Sequence, residues 1–215
     1  MGNRRRSITN VYIDGFNLYY GALKGTSYKW LDLDALCAKL LPQNDVKEIH
    51  YCTARIKARP GDLRGLARQQ AYLDALASLP KISIHLGHFL ESQPRMRLAN
   101  PPAGGPHTAQ VVKTEEKGSD VNLATWLLVD AYEQRCETAV LVTNDSDLAL
   151  PMSIVSQRLG LTVGLINPHT RAASAALMRT SPSFVKSIRA GALASSQLPQ
   201  QVAVGTRTLH RPSSW

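Results

Sequence analysis

The sequence predicts an α/β domain of three layers, with a mostly parallel central sheet flanked by helices. Strand-like and helix-like stretches alternate along the chain, the pattern of a parallel sheet wrapped by crossovers. Thr138–Thr143 and Leu161–Ile166 are short, nearly continuous apolar runs of the kind a parallel sheet buries on both faces. At 215 residues, 44% of them apolar, the chain suits one domain with appendages. No apolar run approaches the roughly 20 residues of a membrane-spanning helix. Asn10 and Asp14 interrupt the stretch behind the basic start, which argues against a secretory signal. Cys37, Cys52 and Cys136 lack CxxC spacing and predict buried free thiols in a reducing, cytoplasmic compartment.

Each element follows from local chemistry. Residues 1–7 are a basic arm through Arg4, Arg5 and Arg6. Ile8–Asp14 predicts a strand, and Gly15 and Asn17 signal a turn after it. Leu31–Leu41 has helical spacing, with Asp32 as N-cap and Pro42 as its stop. Val46–Ile56 predicts a strand. Asp62–Leu79 predicts a helix with Leu63, Leu66, Ala67, Gln70, Leu73 and Ala77 along one stripe. Lys81–Leu90 predicts a strand that places Ile82, Ile84 and Leu86 on one face. Residues 91–112, with Pro94, Pro101, Pro102, Gly104, Gly105 and Pro106, are expected to form a long irregular loop. Ser119–Arg135 predicts a helix with Val121, Ala124, Leu128, Ala131 and Tyr132 facing inward. Asp147–Leu159 predicts another, with Pro151 in its first turn and Gly160 at its end. The domain is expected to span 8–190, and 191–215 to be a tail docked by Trp215.

In open α/β sheets, ligands bind outside the carboxyl ends of the strands. Asp14 closes the first strand, Asn144-Asp145-Ser146-Asp147 follows strand 138–143, and Asp120 opens a helix. If the strands that end at Asp14 and Thr143 are neighbours, Asp14, Asp120, Asp145 and Asp147 meet on one rim. Crowded carboxylates raise one another's pKa, and a divalent cation removes the conflict. Oxygen ligands of this kind suit Mg²⁺ or Mn²⁺. Each acid also has a plain structural reading, Asp14 in a turn and the others as helix caps.

Three segments, Tyr12-Ile-Asp-Gly-Phe-Asn-Leu-Tyr-Tyr-Gly21, Thr114–Ala124 and Val142–Leu148, together resemble the NYN domain family, the LabA-like branch of the PIN-like nuclease superfamily. The resemblance covers roughly residues 8–190, and Ser195–Pro199 and Pro212–Trp215 are similar to bacterial members. It implies a PIN-like, Rossmann-like fold and a metal-dependent ribonuclease. In that resemblance Asp14, Asp120, Asp145 and Asp147 match the acidic quartet holding Mg²⁺ or Mn²⁺. Asp14 and Asp145 are expected as direct ligands, with Asp120 and Asp147 acting through water or a second ion. Asn17 matches the amide that positions a carboxylate or touches substrate, and Thr143 or Ser146 adds a hydroxyl. The expected products are a 5′-phosphate and a 3′-hydroxyl.

The remaining signals concern substrate. Twenty-five Lys and Arg against sixteen Asp and Glu leave a formal charge of +9, which favours a polyanion, nucleic acid first. Lys117 can offset charge on a scissile phosphate. Arg55, Lys57, Arg59, Arg64 and Arg68 cluster near one strand-to-helix junction and, with the N-terminal arm, are expected to contact an RNA backbone. Tyr19 and Tyr20 can stack bases, with at least one expected in the core. His85 and His88 fall on opposite strand faces and make a poor metal pair. No Ser-His-Asp arrangement and no Walker or dinucleotide-binding glycine pattern is present. Two other function classes stay open: an RNA-binding regulator with little catalysis, and a DNA nuclease or phosphatase on the same rim. Oligomeric state, a homodimer included, is open as well.

Overall fold

The computed structural model describes residues 5–57 and 61–215, so Arg4 and Arg59 of the expected basic set lie outside the described residues. At its centre is β1 (Ser7–Asp14), buried from Thr9 onward. It pairs in parallel with β2 (Asn44–Ala54) on one side and with β7 (Thr138–Val142) on the other. Strand alternation sends Val11 and Ile13 into the core on one face of the sheet and Tyr12 into the core on the other. Two cores make three layers, as the sequence predicts.

Beyond β2 lie β3 (Ile82–Ser92) and then β6 (Lys113–Lys117); beyond β7 lie β8 (Thr162–Asn167) and β9 (Phe184–Ser187). Every pairing in this seven-stranded sheet is parallel except β3 with β6. The chain builds outward from β1 to β3, then returns to the other side of β1 to lay down β7 and β8. That reversal opens a crevice where β1 and β7 end.

One layer holds α1 (Gly15–Leu18), running on as a π-helical turn over Tyr19–Leu23, with α2 (Leu33–Leu40) and α3 (Gly65–Ala77). Asp32 caps α2 by accepting from the Ala35 N–H at 2.9 Å, as expected. The other layer holds α4 (Ser119–Tyr132), α5 (Ala149–Ser153) with its π-helical continuation Ile154–Arg158, and α6 (Ala175–Arg179). A short 3₁₀ turn, Ser146–Leu148, precedes α5. Burial of each core leucine, such as Leu36 or Leu127, contributes about 1.5–3 kcal/mol.

Several expectations need correcting. Gly15 and Asn17 begin a helix rather than a turn, because the Asp14 carboxylate caps it. The α3 stripe is rotated: Leu63 and Leu66 are exposed, while Tyr72, Leu73 and Leu76 are buried. The Tyr72 hydroxyl donates to the Leu31 carbonyl at 2.9 Å, which helps fix that phase. In α4, Val121 and Tyr132 are exposed, and Leu123, Leu127 and Ala131 face inward. Within 91–112, β4 (Arg95–Arg97) and β5 (Thr108–Gln110) form an antiparallel hairpin. Pro94, Pro101, Pro102 and Pro106 all lie outside its paired positions. Leu86 is exposed rather than packed with Ile82 and Ile84. Neither Tyr19 nor Tyr20 is in the core.

The region 191–215 is built structure rather than a patternless tail. After α7 (Ala190–Ala194), β10 (Gln201–Val204) and β11 (Arg207–His210) form a hairpin. Trp215 does dock, with its ring 6.4 Å from Trp30 and 5.8 Å from Tyr72. Trp30 in turn donates from its indole N–H to the Pro199 carbonyl at 2.8 Å. The three cysteines are buried and free. Among the described residues, no helix is long and apolar enough to cross a membrane.

Candidate metal centre

Asp14, the last residue of β1, has both oxygens held. Oδ1 accepts from the Asn17 backbone N–H at 2.9 Å. Oδ2 accepts from the Asn17 side-chain amide at 2.7 Å and from the Thr143 hydroxyl at 3.1 Å. This geometry needs Gly15: a Cβ there would sit 2.9 Å from the Cys52 carbonyl oxygen and from the Thr53 Cβ. Capping and site formation are therefore compatible roles of one carboxylate.

Asn17 is locked in turn. Its Oδ1 accepts from the Asn144 N–H at 3.1 Å and from His169 Nε2 at 3.0 Å, so that ring nitrogen carries the hydrogen. Asn144 accepts the Ser174 N–H and donates to the Ala172 carbonyl at 3.2 Å, tying the end of β7 to the segment before α6. Thr143 is fully buried. Its oxygen also accepts the Asp145 N–H at 3.1 Å, so it bridges two of the acids and does not face a substrate.

Asp145 caps the 3₁₀ turn through the Asp147 N–H at 3.0 Å. Asp120 stands in the first turn of α4, which starts abruptly at Gly118 with φ +100°. Glu116 replaces the missing cap, accepting from the Ser119 N–H at 3.0 Å and the Ser119 hydroxyl at 2.7 Å. Asp14, Asp120 and Asp145 meet at the crevice, each offering an oxygen within 4.8 Å of the others. Among the described residues, none of these acids is in an ion pair.

The electrostatics record this crowding. Burial pushes the Asp14 carboxyl up, against the lowering effect of its hydrogen bonds. Asp120 is pushed up to about 6 by burial first, then by the charges of Asp14, Asp145, Glu116 and Asp147. Hard carboxylate oxygens without counter-charge are the donor set that Mg²⁺ or Mn²⁺ takes, and the residues present fit such an ion.

The other expected site residues are placed as follows. Asp147 is exposed and outside the trio of converging oxygens. Ser146 is exposed beside Asp145. Lys117 is exposed on β6, 3.7 Å from Glu115. Arg55 and Lys57 are exposed just past β2, and Arg68 is held by Asp62 at 2.6 Å. Sequence reasoning missed Glu116, Asn144 and His169. His169 was findable by the rule that exposed Asp14 and Asp145, since it lies just past the end of β8.

Two cavities adjoin at this rim. One, about 380 Å³, is the acidic cleft lined by Asp14, Asn17, Glu116, Asp120 and Asp145. The other, about 300 Å³, has six aromatic rings in its lining, and Phe16, Tyr20 and Ile56 form a wall common to both. A second titratable group, Glu48, His50 and Asp130, lies elsewhere, beneath α4. There Asp130 accepts from Asn10, Tyr12 and His50 at 2.8–2.9 Å, so hydrogen bonding within the group accounts for it.

Similarity to known proteins bears on the fold and the family. A protein of unknown function from Vibrio parahaemolyticus superimposes with a TM-score of 0.55 over 88% of this chain and 98% of its own, at 15% identity, a likeness of fold. The 6-hydroxy-3-succinoylpyridine 3-monooxygenase of Pseudomonas putida is 34% identical over 236 aligned positions, 96% of this chain and 75% of that protein. The NYN domain matches residues 8–188, and the chain belongs to the NYN domain family.

Proposed function

We propose that the protein is a metal-dependent ribonuclease that hydrolyses RNA phosphodiester bonds at the acidic crevice. The observation that carries this reading is the convergence of Asp14, Asp120 and Asp145, from three separate elements, without counter-charge. These three would hold Mg²⁺ or Mn²⁺. When bound, such an ion supplies Lewis acidity toward a phosphate oxygen and acidifies water near neutral pH. Asn17 and Thr143 orient Asp14, Thr143 also fixes the backbone of Asp145, and Glu116 anchors the turn that presents Asp120. Under this reading Asp147 holds water or a further ion, and Ser146 and Lys117 meet the substrate phosphate. Arg55 and Lys57 attract the flanking backbone.

The test is cleavage of end-labelled single-stranded RNA. Activity is expected with Mn²⁺ and lost with EDTA or in Asp145→Asn. Cleavage that survives the chelator and the substitution refutes the reading.

A second reading rests on the ring-lined cavity, which is large enough for a small heteroaromatic ring. The Pseudomonas putida relative is named as a monooxygenase acting on a succinoylpyridine. In this reading the cavity takes a hydroxypyridine acid. Saturable binding of that compound, with no RNA cleavage under any metal, selects this reading over the first.

A further inference from the structure

The ring-lined cavity has features that the acidic crevice alone does not require. We infer that it is a nucleobase subsite, taking the base of a nucleotide that flanks the phosphate held at the acidic crevice. This rests on the ribonuclease reading for its orientation, but not for its chemistry.

Phe16, Tyr19, Tyr20, Tyr51, Tyr72 and Trp215 line the cavity. Several of its polar wall groups are already engaged within the protein. Tyr72 donates to the Leu31 carbonyl at 2.9 Å. The Gln69 amide accepts the Ile56 N–H and donates to the Ala54 carbonyl, both at 2.9 Å. Asp62 and Arg68 hold each other. What remains for a ligand is aromatic surface, which selects a flat ring by stacking and reads no particular base.

Charge then selects among flat rings. Lys29 and Lys57 also line the cavity. Lys57 has one carboxylate contact, with Glu91 at 3.6 Å, and both side chains are about half exposed, a pairing too weak to occupy the ammonium. An aromatic ring carrying an anion fits this combination, and a nucleotide is such a molecule. Continuity settles which one. Because Phe16, Tyr20 and Ile56 face both cavities, a strand lying across them can place a phosphate at the carboxylates and an adjacent base among the rings. Trp215 belongs to the region after β11, so the tail completes the subsite.

The test uses a short single-stranded RNA carrying 2-aminopurine, titrated in EDTA so that affinity is read without cleavage. Tyr20 is half exposed and lies outside the set holding the carboxylates, so its substitution spares the fold. Quenching of 2-aminopurine on binding is expected, with affinity about tenfold weaker in Tyr20→Ala, the loss of one stacked base, and restored in Tyr20→Phe. Trp215→Leu, with its folding checked by thermal unfolding, should weaken binding in the same way. Unquenched 2-aminopurine, or affinity indifferent to Tyr20, overturns the inference. The two readings fail separately. Stacking through Tyr20 with no cleavage under any metal keeps the subsite and removes the nuclease. Cleavage abolished by Asp145→Asn, with binding indifferent to Tyr20, does the reverse.

Discussion

Asp120 shows how a single side chain can act against the stability of the fold that holds it. Its carboxyl titrates near 6 in the folded chain, against 3.8 as the ordinary value. The folded state therefore binds more protons than the unfolded state between those values, and stability falls as pH rises through that window. Above about 6 the whole penalty is present. Asp120→Asn is expected to stabilise the cation-free protein at pH 8 by about 1 kcal/mol, the full shift being discounted because the side chain is half solvated. Mn²⁺ should raise the unfolding temperature of the native protein more than that of the variant. Thermal unfolding in EDTA and in Mn²⁺ measures both, and a variant no more stable than the native chain at pH 8 refutes the assignment. At this scale the acids were legible because each follows or opens a regular element. Asn17, Thr143 and Glu116 hold them by hydrogen bonds whose partners are distant in sequence or one turn away, and residue type alone does not show which polar group meets which.

The element that links site and core is α4. Asp120, Leu123, Leu127 and Asp130 recur at helical spacing along one stripe, so the rim carboxylate and a buried carboxylate share a face. Apolar periodicity misplaces that face, because apolar side chains surround the middle of the helix and the inward residue near its end is charged. Asp130 belongs inside because β1 and β2 supply Asn10, Tyr12 and His50 as partners, and those partners are invisible to a local pattern. In the same way β6, Lys-Thr-Glu-Glu-Lys, has no apolar alternation to mark it as a strand. Its strand geometry comes from pairing with β3, and that pairing carries Glu116 to the start of α4. The Asp130 network has its own pH signature. His50 Nδ1 lies 2.9 Å from His85 Nε2, and burial, then the neighbouring His50, lowers the His85 pKa below 6.5. Here the unfolded chain binds the extra proton, so stability is lost as pH falls below about 6.5. Asp130, whose hydrogen bonds outweigh its burial and hold it low, adds a further loss below about 3.8. Asp120 acts with the opposite sign, so the comparison must be between native protein and His85→Gln. The native unfolding temperature should drop more steeply than the variant's between pH 7 and pH 5. Parallel curves would show that His85 does not carry the effect.

At the scale of the molecule, sheet order does what no single element can. The order in which strands are added reverses at β1 and β7, and this brings Asp14 and Asp145 to one rim although they are far apart along the chain. The sequence posed that neighbourhood as a condition, because buried parallel strands leave few topologies and ligands collect where strand order reverses. The hairpin within 190–215 was less readable than the docking of Trp215, since Val202–Val204 is its one short apolar run and its seat is made by Trp30 and Tyr72 from other elements. Net charge has the same global character. Under the proposed reading a chain of +9 carrying a cluster of carboxylates attracts phosphate with other residues, and Lys57 lines the cavity with the rings, with Arg55 two positions before it in the chain. Under the proposed reading each makes a backbone contact with single-stranded RNA and displaces about 0.7 of a counterion. The double substitution Arg55→Glu, Lys57→Glu is therefore expected to reduce the slope of log affinity against log salt by about 1.4, while Mn²⁺ binding at the carboxylates is retained. Fluorescence anisotropy across a salt series, in EDTA, gives the slope. If weaker binding came with an unchanged slope, the loss would be one of fold or shape, and the attraction would have to lie on another face of the molecule.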